Sequence, residues 1–197
     1  MTVNPLSRLD QAELLHLALQ AGSNGGSGAA IGYLKEAVSR PDASGKAHFL
    51  LGAEYAQIRM YDNARVEMEM AIALDPALSV ARFQLGLLWL TAGAADKARE
   101  TLRPLEELGS DHPLAHFSRG LMHLIADDLA DARLSLQQGI ERNTEHPVLS
   151  QDMQKIIDEL DKLPPESFQP KDVAAMPEDA STRHVFLSAY AGKDNNQ

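Results

Sequence analysis

Seven histidines, several adjacent acidic residues and one glycine-rich run are the places where this chain could do chemistry. His112 and His116 are four residues apart and His123 lies seven beyond His116, a spacing that puts all three on one helical face. Imidazoles so arranged are the beginning of a metal site, but no carboxylate pair is spaced with them, so structural roles are expected instead. Asp127 and Asp128 read as solvated turn residues, and Met60, Met68 and Met70 as core or near-core filler. The run "SNGGSG" (Ser23 to Gly28) precedes a helical pattern, where backbone amides can cradle a phosphate. It has no Lys-Ser/Thr after it and no strand before it, so a flexible turn is expected. Neither a Ser-His-Asp nor a Cys-His order has local support. The expectation is a chain with no catalytic residues, no metal site and no cofactor.

Composition narrows the partners. With 44% apolar and 23% charged residues the chain has the balance of a soluble globular protein rather than a disordered one. A formal charge of −10 repels phosphate backbones and anionic lipid, which argues against nucleic-acid and membrane-surface binding. The absence of cysteine removes disulfides and thiolate metal sites. The start, "MTVNPLSRLDQAELL", lacks a basic region followed by an apolar run, so no signal peptide is read and a cytoplasmic protein is expected.

The elements that carry these residues repeat. Gly52, Gly86 and Gly120 stand at steps of 34, as do Ala64, Ala98 and Ala132, and Met68, Leu102 and Leu136. Leu51 and Leu85 precede the first two glycines and Arg119 the third; Tyr55, Trp89 and His123 follow three positions after. Each copy shows two apolar-periodic helices of roughly 12–14 residues joined by a short turn. A glycine inside a helix costs about 1 kcal/mol against alanine. Its recurrence on period predicts a close helix approach, with the small alanines on the other side. Pro76, Pro113 and Pro147 are expected near first-turn positions, behind capping residues Asp75, Asp111 and Thr144.

This pattern resembles the tetratricopeptide repeat family, whose 34-residue unit runs Leu-Gly, aromatic, Ala, large apolar, Pro. "LGAEY…A…M…A…DP" from Leu51 to Pro76 is close to complete. The second copy has Ser110 in place of the closing Pro, and the third has Arg119, His123 and Gly139 where Leu, an aromatic and Ala are preferred. The resemblance implies an all-α, right-handed solenoid of antiparallel helix pairs. Residues 1–44 hold a degenerate first pair, 45–146 three repeats, 147–163 a capping helix, 164–180 a Pro-rich linker and 181–197 a short helix or tail.

The resemblance also implies which side chains line the inner groove. They are Phe49, Leu50 and Ala53, with Ala56 and Gln57, in the first full copy; Phe83, Gln84, Leu87 and Leu90, with Thr91, in the second; and Phe117, Leu121 and Leu124, with Ser118 and Ile125, in the third. Members of the family that clamp acidic chaperone tails place Lys, Asn and Arg there. These positions are mostly apolar, which favours an apolar or amphipathic protein segment as partner. The expected function is a non-catalytic adaptor or scaffold. The alternatives are a cytoplasmic secretion chaperone holding apolar export substrates and a regulatory subunit of an enzyme complex. The stripe Val185, Phe186, Ala189 and Tyr190 is too short for a stable isolated helix, so docking of residues 181–191 on the same chain or a second copy is a further expectation.

Overall fold

In the computed structural model, which describes residues 5–168, every regular element among those residues is a helix. A 3-10 turn, Pro5–Arg8, leads into α1 (Gln11–Ser23), α2 (Ser27–Val38), α3 (Gly45–Gln57), α4 (Tyr61–Leu74) and α5 (Ser79–Thr91). After them come α6 (Ala95–Leu102), a 3-10 segment Arg103–Leu108, α7 (Pro113–Ile125), α8 (Leu129–Arg142), α9 (Pro147–Leu160) and a 3-10 turn Pro165–Phe168. The chain forms two compact units, Met1–Leu88 and Trp89–Gln197, with the boundary inside α5.

In the first unit α1 packs on α2, α2 on α3, and α3 on α4. Short connections between packed helices make each pair antiparallel. Asp10 starts α1 with a capping box: its carboxylate accepts from the Glu13 amide at 2.8 Å, and the Glu13 carboxylate accepts from the Asp10 amide at 2.8 Å. Leu14, Ala37 and Ala47 are buried together, with Leu6, Leu9, Leu15, Tyr33 and Val38 packed around them. Arg40, beyond α2, reaches back to the carbonyls of Leu6 and Leu9 and so ties down the entry to α1. On α3, Gly52 lies against α4: a Cβ there would stand 3.1 Å from the Met68 side chain and 3.2 Å from the Ala64 carbonyl. That is the close approach its period predicts. His48 of α3 is hydrogen-bonded through Nδ1 to Glu67 of α4 at 2.7 Å.

In the second unit α7 packs on α8, α8 on α9, and the 3-10 segment on α7. Gly120 repeats the role of Gly52, since a Cβ there would fall 2.6 Å from Leu136 and 3.2 Å from the Ala132 carbonyl. The second helix of the middle copy departs from the expected 12–14 residues, because α6 ends after 8 and continues as 3-10. Pro104 accounts for this: it has no N–H to donate and its ring crowds the preceding turn. Ser118 on α7 donates its hydroxyl to the carbonyl of Leu102 at 2.9 Å, at the point where the helix changes type.

Helix starts differ in detail from expectation. Pro113 and Pro147 are first residues of α7 and α9, but Pro76 sits in the turn before α5. The cap of α7 is His112 rather than Asp111, with Nδ1 accepting from the Leu114 amide at 3.2 Å. Ahead of α9 the ordering residue is Asn143, not Thr144: its side chain accepts from the His146 amide at 3.1 Å and donates to Ser150 at 2.8 Å.

On α9, Leu149, Met153, Ile157 and Leu160 are buried. The guanidinium of Arg133 on α8 grips the Asp161 carboxylate with two hydrogen bonds, of 2.6 and 3.2 Å. That hydrogen bond holds the Asp161 carboxyl below its usual value and raises Arg133. A carboxyl lowered in the folded state contributes stability above its unfolded value and loses it as pH falls through the folded value. Asp161→Asn is therefore expected to lower the melting temperature slightly at neutral pH. The gap between variant and parent should hold down to about pH 5 and narrow only as pH falls below the usual carboxylate range of about 4. Both groups are half exposed, so salt should narrow the gap as well.

Candidate protein-binding surface

One turn is written four times. Gly25, Arg59, Gly93 and Asp127 all have left-handed backbones, with φ of 75°, 63°, 72° and 62°, at steps of 34. At each, the following amide donates back to the carbonyl five residues before it: Gly26 to Ala21, Met60 to Tyr55, Ala94 to Trp89 and Asp128 to His123, at 2.8 to 2.9 Å. This bond closes the last turn of each first helix and fixes where the second begins. The "SNGGSG" run is one of these turns, with glycine supplying the left-handed residue without a Cβ penalty.

The side chains expected to line a groove divide into two groups. Phe83 and Phe117 are fully enclosed at 0% exposure, and Leu90 and Leu121 are buried. Their expected exposed role is corrected: these four belong to the core. Phe117 shows the reason, because its ring lies over Gly139 of α8, where an added Cβ would fall 2.4 Å from Cδ1 and 2.5 Å from Cε1. The glycine that looked like a departure from the repeat pattern makes room for that ring. Ser118 is likewise buried. Phe49, Leu50 and Ala53 on α3, Gln84 and Leu87 on α5, and Leu124 on α7 are half-buried.

A second surface was not anticipated. Val66, Met70 and Leu74 on α4 are 57%, 43% and 50% exposed, and their four-residue spacing aligns them along one face. Ile58, Met60 and Tyr61, along the turn from α3 into that helix, are also open. Met60 and Met70 are therefore surface residues, and only Met68 of the three methionines is core. The signal was present in the apolar step Val66–Met70–Leu74, which duplicates the stripe that carries the buried Ala64, Met68 and Ala71. Val185, Phe186 and Tyr190 lie outside the described residues.

The three histidines do not meet. His112 is spent on the α7 cap, and His116 is buried with Nε2 donating to the Ser110 carbonyl at 2.5 Å. His123, expected to pack between helices, is half exposed and faces Asp128 across 3.2 Å. Asp128 is thus turned toward a partner rather than simply solvated. Among the described residues no helix is long and apolar enough to cross a membrane.

No protein-family model matches the sequence, and no curated protein matches it. Solved structures do. The chain is similar to a crystal structure of MamA, with 26% identity, 68% of this chain and 78% of that one covered, and a TM-score of 0.58. It is similar to YrrB, described as a TPR protein with an unusual peptide-binding site, with 18% identity, 74% of each chain covered and a TM-score of 0.56. It is also similar to TTC0263, a thermophilic TPR protein in Thermus thermophilus, with 18% identity, 77% and 86% covered, and a TM-score of 0.58.

Proposed function

We propose that this chain, whose fold is the all-α tetratricopeptide-repeat fold, is a non-catalytic adaptor that binds an apolar or amphipathic segment of another protein along its first helices. The observation that carries the reading is that apolar side chains are left half-buried on these helices: Phe49, Leu50 and Ala53 on α3, and Leu87 beside Gln84 on α5. Lys, Asn and Arg, the residues of an acidic-tail clamp, are absent from these positions. Removing apolar surface from water would drive such binding, so salt should change it little. YrrB, described as peptide-binding, supports a protein partner by its likeness in fold. The recurrence of the Gly25 turn supports counting residues 11–44 as a first copy ahead of the three repeats in 45–146. Docking of residues 181–191 on a helix surface in cis would make that segment a competitor of the partner, and deleting 181–197 should then tighten partner binding, whereas docking in a second copy would make self-association depend on protein concentration.

A second reading has its own observation. The open stripe Val66, Met70 and Leu74 suits a chain that docks on an enzyme through α4 as a regulatory subunit. Affinity capture with the full chain as bait, followed by mass spectrometry, identifies the partner. Phe49→Glu and Leu87→Glu are expected to reduce its capture while helicity stays at the parental level, and Val66→Glu to leave capture intact. Loss with Val66→Glu alone would transfer the function to α4. Undiminished capture by all three variants would contradict both readings.

A further inference from the structure

We propose that His123, Asp128 and Asp131 form a binding site for a divalent ion of the zinc class at the turn joining α7 and α8. One ligand atom from each of the three side chains lies within 4.8 Å of the other two. One ion at roughly 2.0–2.2 Å from each atom spans at most about 4.4 Å between ligands, so a small side-chain rotation brings all three onto it.

The turn holds these side chains together. Asp128 donates its amide to the His123 carbonyl at 2.9 Å, which fixes the two backbones against each other. Asp131 stands in the first turn of α8, one helical step from Asp128. Asp128 is also the residue that begins α8, where an aspartate usually turns its carboxylate onto the first free amides. It makes no such hydrogen bond, and its carboxylate lies 3.2 Å from Nδ1 of His123 instead.

The other copies of the turn supply the comparison. The matching triplets are Ala21, Gly26 and Ala29; Tyr55, Met60 and Asn63; and Trp89, Ala94 and Lys97. In the third of these the Lys97 ammonium sits 4.3 Å from the centre of the Trp89 ring, so this register brings the first and last positions together whatever occupies them. Only the triplet after it carries ligand types at all three positions. Where its neighbour joins a cation to a ring, this copy offers an imidazole and two carboxylates.

The donor set selects the ion class. An imidazole nitrogen with two carboxylate oxygens suits zinc and its first-row neighbours better than magnesium or calcium, which favour all-oxygen sites. Two carboxylates and a neutral imidazole balance a divalent charge, and the −10 charge of the chain raises the local cation concentration. Binding requires the proton of His123 on Nε2, leaving the Nδ1 lone pair for the ion. The remaining coordination positions would go to water, since His123 and Asp128 are 30% and 45% exposed. An ion held there would fasten the end of α7 to the start of α8.

Titration of the chelator-washed full chain with Zn2+ by calorimetry, alongside amide chemical-shift mapping, tests the proposal. The expected result is a one-to-one complex with shifts centred on residues 123–131 and a melting temperature raised by the ion. Asp131→Asn leaves the His123–Asp128 contact in place and should weaken Zn2+ by at least about tenfold, and His123→Ala by as much or more. Circular dichroism of both variants checks the fold, and the exposed Asp131 makes its variant decisive if His123→Ala is destabilised. Undiminished affinity in Asp131→Asn, shifts centred on other histidines, or no one-to-one complex at ion concentrations on the order of the protein's own would overturn it.

Discussion

Phe83→Asp is expected to unfold much of the protein rather than merely to abolish binding. Phe83 is at 0% exposure and among the largest enclosed side chains. Losing such a ring to a small residue costs about 3–5 kcal/mol. The aspartate adds a carboxylate that must be buried without a partner or protonated. For a chain of this size each kcal/mol is worth roughly 2–4 °C, so the melting temperature should fall by on the order of 10 °C or more. Phe49 stands one repeat earlier and is only half-buried. Phe49→Asp should therefore cost much less stability. Thermal melts of the two variants side by side check this, and equal losses would contradict the division between core and surface drawn here.

Two glycine-to-alanine changes should move stability in opposite directions. At Gly45, the first residue of α3, an added Cβ would stand 2.7 Å from the Ala71 carbonyl oxygen, 2.9 Å from Asp75 Cβ and 3.1 Å from the Leu78 side chain. A backbone carbonyl cannot swing aside as a side-chain tip can, so α3 and α4 must separate, at a cost of about 1–3 kcal/mol. That exceeds the gain of up to about 1 kcal/mol that alanine brings to a helix. At Gly32, inside α2, nothing lies within 4 Å of the new Cβ, so the helical gain stands alone. Gly32→Ala should stabilise by about 0.5–1 kcal/mol. Denaturant titrations of both variants give the two signs directly.

The helices and their 34-residue step were legible in the sequence because each depends on local pattern. Apolar periodicity marks a helix, and a glycine on period marks a contact, as Gly52 against Met68 and Gly120 against Leu136 show. Side-chain exposure was less legible, because it depends on what a neighbouring helix presents. Phe49, Phe83 and Phe117 occupy one register, yet only Phe49 remains half open. For Phe117 the deciding residue is Gly139, 22 positions away on another helix. The shortening of α6 was written in Pro104, a local signal overridden by the strength of the repeat. The convergence of His123 with Asp128 and Asp131 is not legible along one helical face, because the left-handed Asp127 creates it by folding the chain back.

Hydrogen exchange of the full chain with and without its captured partner shows whether the first helices bind protein. The expected result is slowed amide exchange in α3 and α5 in the complex, centred on the turns that carry Phe49, Leu50, Gln84 and Leu87, with α4 exchanging as it does in the free chain. Slowing confined to α4, or a complex that leaves α3 and α5 unchanged, would contradict it.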